Sequence, residues 1–395
     1  MLFFVLYLME GMPIGFVWWT LPTLLSSAGV DTARIGDLTS VVVLPWAFKA
    51  FVGPIVDLGR NARWSHRAWI VVAQGGMALS LVPLLTIDFT ADFDTLRLCL
   101  IAHACAAAFQ DVAIDALAVE VTPLGERGGI NGWAQAGMLL GRGVVAAFAI
   151  RIGAGSTSTI VTLLIGFLVV GQLVHWTYRG PAPRVRDTGA DGKTGNAYRR
   201  ALRQVLRSPM TWLLVVFAAT SGAAFEMLGA MLGPFLHSRG ATDDGIAWFY
   251  ALPALVGLGG GALLGGMLSD RFGSRRIAIW AACAVAGTTA GAATVSGAEW
   301  TWIFVAAAYL ATGVFTAASY ALYMNATHPR LAATQFSAMM GLTNLCESWS
   351  ARVAGRISKS SGFKDTFLLG AGVTLLSLTL LIGVRGKRLQ QRNHD

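Results

Sequence analysis

The sequence predicts an all-α polytopic membrane protein: twelve transmembrane helices in two pseudo-symmetric six-helix bundles. Three observations carry this. Hydrophobic residues form 55% of the 395-residue chain and charged residues only 13%, about half the charged share of a soluble domain. Apolar runs of about 20 residues, enough to cross roughly 30 Å of hydrocarbon, recur from end to end. One long polar stretch divides those runs into two equal sets.

The predicted spans are 2–27, 35–57, 67–88, 97–121, 130–152 and 156–178, then 210–236, 246–269, 276–297, 300–326, 331–356 and 363–385. The domains are therefore an N-terminal bundle over 1–178, a linker over 179–209, a C-terminal bundle over 210–386 and a tail over 387–395. Span one is too long for a signal-peptide core and lacks a basic leader. Met1 falls almost inside it, which points to a natural start further upstream. Span eight holds Gly257–Gly261 and Gly265–Gly266, residues that let helices approach closely. The linker is rich in Arg, Gly and Pro, with a short amphipathic helix expected over Ala197–Leu206 on anionic lipid.

Net charge of +9 and a mean hydropathy of +0.59 come together. The basic residues sit in short loops between apolar runs, so they set membrane orientation and do not bind nucleic acid. With both termini cytoplasmic, Arg60, Arg63, Arg67, Arg127, the linker arginines, Arg271, Arg275, Arg276 and Arg330 all fall inside. Arg34, Arg97, Arg151, Arg239, Arg356, Lys359 and Lys364 fall outside, a bias of about threefold in the inward direction.

Cys99, Cys105, Cys283 and Cys346 lie within apolar spans without CxxC or CxxH spacing, and read as buried thiols. Of the histidines, His103 alone stands well inside a span. There is no HExxH, no phosphate-cradling glycine loop and no Ser-His-Asp set. No catalytic residue, metal or cofactor is expected, and the chain does not read as an enzyme.

The two halves repeat a motif. Gly53-Pro-Ile-Val-Asp57 closes span two, and Gly266-Met-Leu-Ser-Asp270-Arg271-Phe-Gly273-Ser-Arg275-Arg276 closes span eight. Glycine permits close helix contact, and the aspartate is suited to cap a neighbouring helix and pair with arginines. The second copy resembles the loop signature of the major facilitator superfamily, and the first is a degenerate copy. That resemblance implies the major facilitator fold, with these residues as a gating loop.

Ionisable residues within spans cost several kcal/mol unless paired or wetted, so each is a functional candidate. At about 1.5 Å rise per residue, Glu10, Lys49, Asp111 and Asp115 fall in neighbouring layers, and Asp111 and Asp115 share a helix face. They read as a proton-exchanging charge network, with a permanent salt bridge as the competing reading. Arg142 lies mid-span between Gly141 and Gly143 and is suited to bind an anion or to pair with Asp111. Glu226, Asn344, Glu347 and Tyr320 would line the C-terminal side of a solute cavity. Glu120 reads as a loop-facing charge.

Several segments look like the AmpG-type permeases and their acetyl-CoA transporter relatives. These are Gly11-Met-Pro13 with Gly15, Leu44-Pro-Trp-Ala-Phe-Lys49 through Asp57, Gln110-Asp111-Val-Ala-Ile-Asp115-Ala116, Glu126-Arg127-Gly128 and Ala333-Thr334-Gln335-Phe336. The resemblance implies a proton-coupled importer of a medium-sized polar solute in a bacterial inner membrane, acting as a monomer. Anhydromuropeptide is the solute it implies first, and a ferric siderophore is the alternative, because 395 residues cannot hold the extra spans of larger AmpG proteins. A non-transporting sensor or assembly subunit is the rival from another class.

Overall fold

The computed structural model describes residues 2–30, 32–59, 65–152, 157–177 and 192–382. Arg60, Arg63, the linker over 179–191 and the tail over 387–395 lie outside the described residues. Helices fill almost everything else, in an order that follows the predicted spans.

Span one is α1 (Leu2–Gly15), a π-helical turn (Phe16–Thr20) and α2 (Leu21–Ser27). Pro13 lies before the turn and Pro22 after it; each lacks an amide donor, and the widened turn absorbs the mismatch. Span two breaks into α3 (Thr32–Ala47) and α4 (Lys49–Leu58), with Phe48 at φ −95°, ψ 5° three residues after Pro45. Span three is α5 (His66–Leu81), closed by a 3-10 turn that begins next to Pro83. Spans four to six are α6 (Phe93–Val121), α7 (Arg127–Ile152) and α8 (Thr157–Thr177), and the linker contributes α9 (Gly192–Leu206).

Span seven is divided at Ser221–Gly222 into α10 (Pro209–Thr220) and α11 (Ala223–Ser238). Span eight runs from α12 (Asp243–Phe249) through a second π-helical turn at Pro253 into α13 (Leu255–Phe272). Then come α14 (Ser274–Thr294), α15 (Ala298–Ala326) and α16 (Ala332–Ile382). Spans eleven and twelve are two separate helices, as expected, that meet within α16 at Gly362, where φ is 87° and ψ 173°. Glycine bears that positive φ without a Cβ clash, so the expected loop reduces to one residue.

Eight helical segments among the described residues are long and apolar enough to cross a membrane, and α1 and part of α8 are shorter apolar helices. With the two helices of α16 counted separately, and α7 included, the helices occupy every predicted position.

Contacts divide the chain into two compact units. The first comprises Met1–Val121, Gly137–Arg199 and Pro329–Ala338; the second comprises Thr122–Ala136, Arg200–His328 and Met339–Asp395. In the first, α5 packs along α6, with α3 and α4 also against α6 and with α8 against α1 and α5. Its core runs from Met9 and Phe16 through Met77 and Leu100 to Leu164 and Leu168. In the second, α13 and α14 both pack along α15, around a core of Leu228, Leu232, Phe235, Val305, Tyr309 and Phe367. Leu79, Leu98, Trp176, Met267 and Leu376 are exposed, as suits side chains facing lipid tails.

Candidate functional site

The charge network predicted from sequence assembles inside the first unit. Lys49 opens α4 just after the break at Phe48, which directs it towards α6. Its Nζ lies 3.0 Å from Asp111 Oδ2 and 3.8 Å from Asp115 Oδ2. Lys49 is 2% exposed, Asp111 7% and Asp115 2%. The Tyr7 hydroxyl donates a hydrogen bond to Asp115 Oδ1. Sequence reasoning missed Tyr7, although it sits one turn before Glu10 on the same face of α1.

Glu10 is 1% exposed, and neither carboxylate oxygen has a hydrogen-bond partner. Asp111, Asp115, Lys49 and Arg142 all lie within its electrostatic reach. Arg142 is half-buried on α7 where α7 crosses α1, with its backbone against Gly15. The arrangement has three carboxylates, two cations and one phenol. One anion is paired directly, one is shared with a phenol and one is held without a donor. Such a set can take up and release a proton as its neighbours move.

Glu120 corrects one expectation. His66, at the start of α5, is 1% exposed, and its Nδ1 lies 2.8 Å from Glu120 Oε2. Glu120 therefore faces a partner on α5 and not a loop. His103 is packed as expected, with Nδ1 3.0 Å from the Met77 carbonyl oxygen.

The repeated motif forms two helix caps. Asp57 accepts hydrogen bonds from the amides of Ala333 at 3.0 Å and Thr334 at 2.8 Å, and from the Thr334 hydroxyl at 2.6 Å. Asp270 accepts from the amides of Gly128 at 2.7 Å and Gly129 at 2.6 Å. Each carboxylate thus satisfies orphan donors at a helix start and meets its positive dipole end. Gly53 is required here: a Cβ on it would stand 2.5 Å from Thr334 Cα. Gly266 is held as closely against the Gly128 backbone.

Among the described residues neither aspartate pairs with an arginine, contrary to the sequence expectation. Arg127 instead donates to the Met324 carbonyl at 2.5 Å and Arg275 to the Leu381 carbonyl at 2.5 Å, while Arg271 stacks on Phe272. Gly273 lies at φ 91° and starts α14.

The linker helix α9 covers the stretch expected to be helical, Ala197–Leu206. Arg199, Arg200 and Arg203 are exposed, but Ala201 is 3% exposed and the Tyr198 hydroxyl lies 3.1 Å from Thr334 Oγ1.

In the second unit Glu226 begins α11, half-buried, within electrostatic reach of Glu347 on α16. Glu347 is exposed; Asn344 and Tyr320 are half-buried. Tyr320 and Tyr323 have ring centroids 6.3 Å apart. Tyr309, which sequence reasoning did not single out, lies within electrostatic reach of Glu226. No group of His, Cys, Asp and Glu suited to a metal ion occurs among the described residues.

Comparison with known proteins agrees with this architecture. The fold matches the fucose transporter FucP, crystallised in the outward conformation, with a TM-score of 0.80 at 14% identity over 97% of both chains. It matches the proton:xylose symporter XylE with a TM-score of 0.74 at 11% identity, over 97% of this chain and 94% of that one. In sequence, the transporter named AmpG 4 of Rickettsia conorii is 23% identical over 401 residues, covering 97% of this chain and 96% of the relative. The Rickettsia felis AmpG 4 is 22% identical over 415 residues, again covering 97% and 96%. The Major Facilitator Superfamily pattern spans residues 3–355, and the chain belongs to that family of membrane transporters.

Proposed function

We propose that this chain is a proton-coupled, alternating-access importer of a medium-sized polar solute, AmpG-like, such as an anhydromuropeptide. The observation that carries the proposal is the buried cluster of Tyr7, Glu10, Lys49, Asp111 and Asp115, with Glu10 holding two oxygens that no donor meets. Keeping an unpartnered carboxyl in a membrane layer costs several kcal/mol and gives nothing to stability. A carrier that must load and unload a proton has a use for it.

The AmpG proteins named above support the solute class, and Arg142 beside Glu10 supplies a fixed cation for an acidic solute. Glu226, Asn344, Glu347 and Tyr320 are the solute-binding candidates of the second unit. The two halves of the alternating-access carrier are 1–178 and 210–386, joined by the linker 179–209. The caps at Asp57 and Asp270 open and close during transport. The protein works as a monomer in a bacterial inner membrane with both termini in the cytoplasm, the orientation that its arginine distribution favours.

Uptake into proteoliposomes tests the reading. Solute enters faster when the outside is acid, and Glu10→Gln abolishes that response while leaving solute exchange at equal pH. Uptake by Glu10→Gln that keeps the wild-type response to a pH gradient sinks the coupling role.

A further inference from the structure

Helical spacing sorts the linker helix α9 into two unlike faces. At 3.6 residues per turn, Arg199, Arg200, Arg203 and Arg207 fall within an arc of about 100°. Arg207 lies one residue past Leu206 but belongs to the same turn, because its amide donates to the Arg203 carbonyl at 3.0 Å. All these arginines are exposed. Tyr198, Ala201 and Val205 fall on the opposite side of the helix. There Ala201 is 3% exposed, and the Tyr198 hydroxyl lies 3.1 Å from Thr334 Oγ1. The helix is held by the side that bears no arginine, and the arginines turn outward.

The charge on that face is not met within the described residues. Neither α9 nor the chain that follows it as far as Phe225 contains an aspartate or glutamate. No salt bridge among the described residues involves these arginines. Like charges one turn apart destabilise a helix, so the arrangement is costly until anions meet it.

What lies next in the chain says which anion. Pro209, two residues after Arg207, opens a helical segment over Pro209–Ser238 that is long and apolar enough to cross a membrane. Trp212 in its first turn is 54% exposed, and its indole Nε1 donates to the Leu206 carbonyl at 2.9 Å. The Leu206 side chain is 49% exposed beside it. Tryptophan collects at the boundary between headgroups and acyl chains. From Arg199 to Arg207 the helix rises only about 12 Å, so the arginines stand at headgroup level with an apolar foot below them. A soluble polyanion has no use for Leu206 and Trp212, whereas a phospholipid offers both an anionic and an apolar part. Guanidinium forks grip phosphate through paired hydrogen bonds, and each basic residue near an anionic surface adds to the attraction.

We propose that Arg199, Arg200, Arg203 and Arg207 form a docking face for the phosphate groups of anionic phospholipids, with Leu206 and Trp212 against the apolar part of the same lipids. This goes beyond the carrier reading and stands or falls separately from it.

The test is hydrogen exchange of the α9 amides in the full chain, held in nanodiscs of phosphatidylcholine with and without phosphatidylglycerol. Exchange over Arg199–Leu206 is expected to be about tenfold slower or more with the anionic lipid. Combining Arg200→Gln, Arg203→Gln and Arg207→Gln is expected to erase the difference. In the wild type, salt at about 1 M, where the Debye length is about 3 Å, is expected to erase it as well. Equal exchange in the two kinds of disc overturns the docking face, and so does a difference that survives in the triple variant. A short DNA duplex or inorganic phosphate, added to phosphatidylcholine discs, that slows exchange as much as phosphatidylglycerol does overturns lipid as the occupant. Should the triple variant fail to fold, the salt comparison on the wild type decides alone.

Discussion

Lys49 shows how one side chain sets the chemistry of a whole unit. It sits 3.0 Å from Asp111 and 3.8 Å from Asp115, with all three nearly sealed from solvent. Removing one partner of a buried pair leaves the other charge uncompensated, at a cost of about 3–5 kcal/mol; removing both costs far less. Lys49→Met and Asp111→Asn are therefore each expected to lower the melting temperature strongly. The double variant should recover much of the loss, and equal, additive losses in thermal unfolding would contradict the pairing. Tyr7→Phe removes one hydrogen bond to a charged acceptor and should cost about 1.5–3 kcal/mol. The anions and Lys49 were legible in the sequence because ionisable residues are rare within apolar runs. Tyr7 and Tyr309 were not, since tyrosines are ordinary in membrane helices and only contact reveals what they touch. His66 and Glu120 lie near span ends, where a charge is unremarkable until its partner is seen.

At the scale of elements, most of the local order lies in helix starts and breaks. Asp57 and Asp270 cap the starts of α16 and α7 with backbone hydrogen bonds. Asp57→Ala should cost about 1 kcal/mol from the lost cap, and hydrogen exchange at Ala333 and Thr334 should quicken while the rest of α16 stays protected. Gly53→Val should be worse, because its Cβ has no room beside Thr334 Cα. Past the 3-10 turn that closes span three at Leu85, Asp88 holds the turn before α6. The Thr90 hydroxyl and the amides of Ala91 and Thr90 bond its carboxylate and pull its pKa down to about 2. A depressed carboxylate stabilises above its unfolded pKa and loses that contribution as pH falls through the folded value. Protection of the Ala91 amide should thus persist through pH 4 and vanish near pH 2. Asp88→Ala should lose that protection at all pH values.

For the whole molecule, the arginine distribution and the transporter fold make joint demands on orientation. The proposed orientation, with both termini in the cytoplasm, puts the turn at 88–92 outside and the linker helix α9 inside. A cysteine at Thr90 should react with a membrane-impermeant maleimide in intact cells, and one at Gln204 only after permeabilisation. The reverse pattern would invert the topology and the direction assigned to transport. Glycine contacts such as Gly53 against Thr334 and Gly266 against Gly128 hold elements far apart in sequence.

The sequence by itself determined the class, the span positions and the family. Hydrocarbon thickness dictates how many consecutive apolar residues a helix needs, and that length is written linearly. It also determined which charges matter, because a membrane makes every buried charge conspicuous. Only the tertiary structure decided partners: that Lys49 joins Asp111, that Asp57 caps α16 and not an arginine, and that Glu226 faces another carboxylate. Pairing depends on rotation about each helix axis and on breaks such as Phe48 and Gly362. Those are set by packing between segments hundreds of residues apart, which no local window contains.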